Sequence, residues 1–134
     1  GPDPSIGKVA DMLAERSNPS VITVNVNDSV EQVIARMKEH GISQLPVQDG
    51  DRLVGIISER TLLSYLLQGE AKLESNVTNM VESNFAMVDL STSVASLSGL
   101  FNQGSLVIVL DEERLAGVIT KIDLIEYMAK QLHS

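Results

Sequence analysis

Thr120 and Asp123 stand three residues apart, behind the β-branched run Val118-Ile119 and ahead of the apolar pair Leu124-Ile125. A carboxylate at such a place can accept hydrogen bonds from two vicinal hydroxyls at once, a bidentate and charge-assisted contact. The threonine hydroxyl falls beside the free N–H groups of a helix start, where a polar ligand is well received. The same spacing is also a capping box, with Thr120 as N-cap and Asp123 as the third helical residue. The two roles can coexist. At the constant offset 120 − 58 = 123 − 61 = 62, Ser58-Glu59-Arg60-Thr61 occupies the matching place. There Thr61 has no carboxylate, and Arg60 puts a guanidinium where Ile122 is apolar.

Other chemistry is thin. His40 falls at a predicted helix end and His133 near the chain end, neither at a metal-ligand spacing, so both read as solvated. Asp49-Gly50-Asp51 lacks the remaining ligands of a calcium loop and reads as a turn. With no cysteine there is no disulfide, thiolate nucleophile or thiolate metal site. No serine sits in a nucleophile elbow and no glycine loop can cradle phosphate, so no catalytic residue, metal or cofactor is expected. A formal net charge of −8 opposes a phosphate-tracking surface, and two Phe, two Tyr and no Trp leave little for base stacking. Nucleic acid is excluded on that ground. No run approaches the roughly 18 apolar residues of a membrane span, and the N-terminus lacks a secretory pattern. A cytoplasmic setting is expected, with Gly1-Pro2 read as an expression remnant.

A duplicated unit must position these residues. Leu53-Val-Gly-Ile-Ile-Ser-Glu-Arg-Thr-Leu-Leu63 returns as Leu115-Ala-Gly-Val-Ile-Thr-Lys-Ile-Asp-Leu-Ile125. Residues 28–37 match 92–101 at an offset of 64, and Val9-Ala-Asp-Met12 matches Val77-Thr-Asn-Met80 at 68. The falling offset means shorter loops in the second copy with the order of elements kept. Each copy opens with a short amphipathic stretch (9–14; 77–81) and a short strand (21–24; 86–88). Val30, Val33, Ile34 and Met37 then fall at helical spacing, with Asp28 as N-cap and Glu31 three residues on. Val94, Leu97 and Phe101 keep that spacing and predict the same helix. Strands 44–48 and 52–57 join through an Asp-Gly turn, as 106–110 and 114–119 join through 111–113. Leu106 to Leu110 lacks polar alternation and is expected to be covered on both faces. Closing helices carry Leu62, Leu63, Leu66 and Leu67, or Leu124, Ile125 and Met128, with Tyr65 and Tyr127 in register. The fold class is therefore α+β. Two β-α-β-β-α motifs, residues 1–68 and 76–134, flank a connector at 69–75. A pseudo-two-fold relation with the sheets packed together would give two equivalent clefts.

Gly41-Ile-Ser-Gln-Leu-Pro-Val47, Leu53-Val-Gly-Ile-Ile-Ser58 and Leu115-Ala-Gly-Val-Ile-Thr-Lys-Ile-Asp-Leu124 resemble the tandem CBS-domain pair, or Bateman module, over essentially the whole chain. Ser58 to Leu63, Gly69-Glu-Ala-Lys-Leu73 and Thr120 to Ile125 are more narrowly similar to the C-terminal regulatory region of bacterial cystathionine β-synthase. The resemblance implies a non-catalytic regulatory module that binds an adenosine-containing small molecule: S-adenosylmethionine, AMP or ATP. It implies too that occupancy is passed to an attached or associated catalytic domain, and that the module pairs as a homodimer. Carried over by position, Thr120 and Asp123 hold the ribose side of the ligand, and Ile122 packs against the adenine. Val21, Ile22, Ile42, Ser43, Gln44, Leu45 and Pro46 hold the adenine by apolar packing and main-chain hydrogen bonds. The related set, Ser58 to Thr61 with Phe85, Ala86, Met87, Ser105 and Leu106, lacks the ribose carboxylate, so one preferred site is expected. Net negative charge favours the sulfonium of S-adenosylmethionine over ATP, unless Arg60, Lys121 or Arg114 lies close to the ligand. The alternative is a ligand-free dimerisation or autoinhibitory module.

Overall fold

The computed structural model describes residues 6–16 and 21–132, so Gly1-Pro2, His133 and the outer ends of both predicted motifs lie outside the described residues. In chain order the elements are α1 (Val9–Ala14), β1 (Val24–Asn25), α2 (Val30–His40), β2 (Gln44–Asp49), β3 (Arg52–Ser58), α3 (Glu59–Leu67), β4 (Ala86–Asp89), β5 (Leu106–Asp111), β6 (Arg114–Thr120) and α4 (Lys121–Gln131). They gather into two compact units whose membership crosses the sequence copies. One holds residues 22–84; the other holds residues up to 21 together with those from 85 onward.

In the unit of residues 22–84, β1 runs parallel to β2 through Val24↔Val47. β2 pairs antiparallel with β3 through Leu45↔Ile57 and Pro46↔Ile56, with a bulge between Val47 and Gln48. The strand predicted at 21–24 is confined to Val24–Asn25, and the Thr23 carbonyl before it accepts from the Arg36 guanidinium. The helix α2 begins one residue later than its predicted cap. Ser29 is the N-cap: its hydroxyl accepts the Gln32 N–H at 3.2 Å, and Gln32 Oε1 accepts the Ser29 N–H at 2.8 Å. Asp28 instead accepts the Asn25 N–H at 2.8 Å, closing the turn before the helix. Gly41 ends the helix at φ 62, a left-handed conformation that suits glycine. The apolar stripe of α2 meets the strands in a core that includes Val24, Val30, Val33, Leu45, Val47, Ile57 and Val77.

In the other unit, β4 runs parallel to β5 through Ala86↔Val107. β5 pairs antiparallel with β6 through Val107↔Ile119 and Val109↔Gly117, again with a bulge, between Val109 and Leu110. Leu106 to Val109 are buried in succession, as the unbroken apolar run predicts. The helix predicted over 94–101 is two 3₁₀ segments, Val94–Ser96 and Ser98–Gln103. Ser93, Ser96, Ser98 and Gly99 favour turns over a regular helix. Val94, Leu97 and Phe101 are nevertheless all buried, so the spacing identifies the inward residues even where it misjudges the winding. The second copy's leading stretch is likewise a single 3₁₀ turn, Thr78–Met80.

The exchange of leading stretches follows from hydrogen bonds. Val9 N–H donates to the Thr92 carbonyl at 2.8 Å, and Val94 N–H to the Gly7 carbonyl at 3.0 Å. The counterpart is Val30 N–H to the Ser75 carbonyl at 2.9 Å and Glu31 N–H to the Leu73 carbonyl at 3.0 Å. The tyrosines in register complete the attachment. Tyr127 donates its hydroxyl to the Ile6 carbonyl at 2.6 Å, and Tyr65 to the Asn79 carbonyl at 2.7 Å. The leading stretch of each copy thus folds onto the hairpin and closing helix of the other copy.

Candidate functional site

Strand β6 ends at Thr120 and α4 begins beside it, so both candidate polar residues are fixed by backbone. Thr120 Oγ1 accepts the Asp123 N–H at 3.4 Å, and Asp123 Oδ2 accepts the Thr120 N–H at 2.8 Å, which completes a capping box. The carboxylate is therefore held in one orientation by its own helix. Sequence reasoning does not anticipate the third member. Arg16, just beyond α1, donates from Nη2 to the same Asp123 Oδ2 at 2.9 Å, and the two side chains are 19% and 30% exposed. Among the described residues both bonds accepted by Asp123 fall on Oδ2, and the Arg16 Nε is buried with no partner. The carboxylate that the sequence presents as a bare anion thus carries an adjoining guanidinium.

The remaining predicted residues have diverse settings. Ile122 is 58% exposed in the first turn of α4, so it is available for contact and is not core. Leu45 is fully buried within the core of its own unit, which leaves only its main chain for recognition. Pro46 is buried, Ile42, Gln44 and Ile22 are half-buried, and Ser43 is exposed. The Ser43 carbonyl accepts the Glu59 N–H at 2.9 Å, helping to satisfy the start of α3. Val21 is half-buried and belongs to the unit that contains Thr120 and Asp123. That unit brings together Thr120, Asp123 and Arg16; residues 42–46 belong to the other.

The corresponding helix start in the unit of residues 22–84 has a different polar solution. Ser58 caps α3 by accepting the Thr61 N–H at 3.2 Å, and its hydroxyl donates to Glu82 Oε2 at 2.6 Å. Glu82 Oε1 lies 4.0 Å from Arg60 Nη2. The carboxylate missing at Thr61 is therefore supplied by Glu82, the residue after the leading stretch of the second copy. The polarity is reversed between units: the helix offers a carboxylate to an arginine in one and an arginine to a carboxylate in the other. Glu82 is also held by backbone, since Ile56 N–H donates to its carbonyl at 3.0 Å and its own N–H donates to the Ile56 carbonyl at 2.7 Å. Nothing in the repeat alignment marks either Arg16 or Glu82, because both partners come from outside the matched hairpin.

These features define a tandem pair of α+β motifs, each with a hydroxyl-capped helix start after its hairpin. A family model described as CBS domain matches residues 6–68 and 77–130. The chain belongs to the CBS domain family, as a tandem pair. It is 26% identical over 118 residues to cystathionine beta-synthase of Dictyostelium discoideum, an alignment covering 84% of this chain and 24% of that enzyme. A solved CBS-domain protein of Burkholderia ambifaria is similar with a TM-score of 0.77 and 29% identity, over 92% of this chain and 95% of that one. CBSX2, solved in complex with AMP, shares the fold with a TM-score of 0.76 at 23% identity, over 95% of this chain and 98% of its own. The chain spans about a quarter or less of the length of the curated enzymes it matches, which include an A-adding tRNA nucleotidyltransferase of Geobacter sulfurreducens covered over 15%. Among the described residues no helix is long and apolar enough to cross a membrane.

Proposed function

We propose that this CBS pair is a non-catalytic sensor of an adenosine-containing ligand, with Asp123 gripping the ribose diol. The observation that carries the reading is the fixed carboxylate at the start of α4: its Oδ2 is held by Thr120 and Arg16, while Oδ1 accepts no hydrogen bond from the described residues. An oriented acceptor suits two adjacent hydroxyls because little side-chain freedom remains to be lost on binding. The exposed Ile122 is suited to apolar contact with the ligand. Val21, Ile22 and residues 42–46 enter the reading through the family resemblance. The AMP bound by CBSX2 supports the ligand class. S-adenosylmethionine is a second member of that class, drawn from the likeness to cystathionine beta-synthase, and an attached enzyme of that kind is the proposed recipient of the signal. Such a signal requires the ligand to bind one conformational state better than another. Homodimerisation belongs to the same reading, supported by exposed apolar residues on the closing helices, Leu63 and Leu67 on α3 and Ile125 on α4.

Titration calorimetry with AMP, ATP and S-adenosylmethionine, run on the wild type and Asp123→Ala, tests the proposal. At least one ligand should bind, with affinity reduced at least tenfold in the variant, about 1.4 kcal/mol. Unchanged affinity would remove Asp123 from the site. One observation favours the alternative of a ligand-free structural module: Asp123 already serves as a cap and an ion-pair partner. No binding by any of the three compounds, together with concentration-dependent dimerisation, would establish that reading instead.

A further inference from the structure

We infer that Arg16 determines ligand specificity at Asp123, selecting an adenosine compound that carries a phosphate over one that is uncharged or cationic. The inference rests on the proposed ribose grip and adds to it the class of group the ligand must bear. A net charge of −8 argues for a cationic ligand only if the carboxylate acts as an isolated anion. It does not: the guanidinium stands 2.9 Å from Oδ2, and the side chain is 19% exposed. At that separation the pair presents little net charge at a distance, so the choice of ligand charge falls to the close-range contacts it makes with the guanidinium or the carboxylate. A sulfonium brought to Asp123 gains little from the carboxylate and meets a cation beside it.

The donor inventory points the same way. A guanidinium has five N–H donors in a rigid fork and no acceptor. Among the described residues the Arg16 guanidinium makes one hydrogen bond, from Nη2 to Asp123, and its Nε is enclosed without a partner. Such a group favours an anion that can take several donors at once, and phosphate meets that need in a way that neither a hydroxyl nor a sulfonium does. Asp123 and Arg16 together present an acceptor for a diol and donors for an anion, and a nucleoside monophosphate carries both groups on one sugar. Arg60 is a poor substitute. It is 91% exposed, and the nearest oxygen of Glu82 is 4.0 Å away, so its charge is far more strongly screened.

The test compares adenosine, AMP and S-adenosylmethionine by calorimetry on the wild type, Arg16→Gln and Arg16→Lys, with a thermal melt of each variant to confirm folding. Wild type should bind AMP about tenfold or more tighter than adenosine, the fold-change expected of a charge-assisted hydrogen bond. S-adenosylmethionine should bind no better than adenosine. Arg16→Gln should weaken AMP by about tenfold more than it weakens adenosine and so remove the AMP advantage, while Arg16→Lys keeps part of it because the charge remains without the fork. Equal binding of AMP and adenosine by the wild type would overturn the inference and leave the ribose grip standing. So would equal losses for both ligands in Arg16→Gln, or tighter adenosine binding there, which would identify Arg16 as a competitor for the carboxylate. Failure of all three compounds to bind the wild type would reject the ribose grip and this inference with it. Should Arg16→Gln fail to fold, the ratio of AMP to adenosine affinity in wild type and Arg16→Lys decides the matter.

Discussion

Gly55 and Gly117 are the same residue of the repeat, yet alanine at the two positions should have different consequences. A Cβ built on Gly55 lies 2.4 Å from the Glu82 carbonyl oxygen and 2.6 Å from Val81 Cγ1. Contacts below 3.0 Å are essentially never seen, so the backbone at 82 must retreat by at least 3.0 − 2.4 = 0.6 Å. That movement acts on the paired hydrogen bonds between Ile56 and Glu82, at 3.0 and 2.7 Å, and on the 2.6 Å bond from Ser58 to the Glu82 carboxylate. Overpacking of this sort costs about 1–3 kcal/mol, and weakening one or two of the hydrogen bonds adds about 1 kcal/mol each. Gly55→Ala should therefore destabilise by roughly 2–5 kcal/mol. At Gly117 the new Cβ meets only the Leu13 side chain, at 3.1 Å from Cδ2 and 3.2 Å from Cδ1. A leucine tip can shift by a few tenths of an ångström, and the lower unfolded-state entropy of alanine offsets part of the cost, so Gly117→Ala should fall within about 1 kcal/mol of wild type. Urea unfolding followed by circular dichroism measures both. Equal losses, or a larger loss at Gly117, would refute the view that the exchanged leading stretch meets the two hairpins differently, by backbone in one and by side chain in the other.

Glu112 holds φ 60 at the turn position where the first hairpin has Gly50 at φ 65. Glu112→Gly should raise stability by about 0.5–1 kcal/mol in the same urea assay, as relief of left-handed strain outweighs the added unfolded-state entropy. Burial raises the pKa of the Tyr127 hydroxyl, with nearby Glu15 and Asp11 contributing. Its stabilising contribution is thus complete below the unfolded tyrosine value near 10 and lost as pH rises beyond it. Tyr127→Phe should be less stable than wild type at pH 7 by about 1 kcal/mol, for loss of the bond to Ile6. The difference should shrink above pH 10, measured as the gap in thermal midpoint between the two proteins.

Short-range rules carried much of the sequence reading. The hairpins, the Thr120 capping box and the inward residues of both copies all depend on residues fewer than ten positions apart, where spacing maps directly onto local geometry. The shift from Asp28 to Ser29 shows the limit of such rules. Asp-x-x-Glu and Ser-x-x-Gln are overlapping capping patterns, and the choice was made by the Asn25 turn, which claimed Asp28. The exchange of leading stretches was illegible for a different reason. An apolar stretch such as Val9-Ala-Asp-Met12 shows that it must be buried, but the two copies offer nearly identical surfaces to bury it. Arg16 was missed on the same account, being 107 residues from its partner and without a charged counterpart in the repeat.

The inequality between copies is also subtler than the presence or absence of an aspartate. Each helix start has a carboxylate against its capping hydroxyl residue, Asp123 beside Thr120 and Glu82 beside Ser58. What differs is how the two oxygens are used. Asp123 places both of its bonds on Oδ2, whereas Glu82 takes the Ser58 hydroxyl on Oε2 and turns Oε1 toward Arg60. A diol arriving at Asp123 can use Oδ1 without disturbing the cap. A diol arriving at Glu82 would meet the 2.6 Å bond from the buried Ser58 on Oε2 and the Arg60 guanidinium 4.0 Å from Oε1. The proposed preference for Asp123 therefore rests on the surroundings of the two carboxylates, one fixed by its own helix cap and the other placed between a serine hydroxyl and an exposed arginine, and not on the presence or absence of charge.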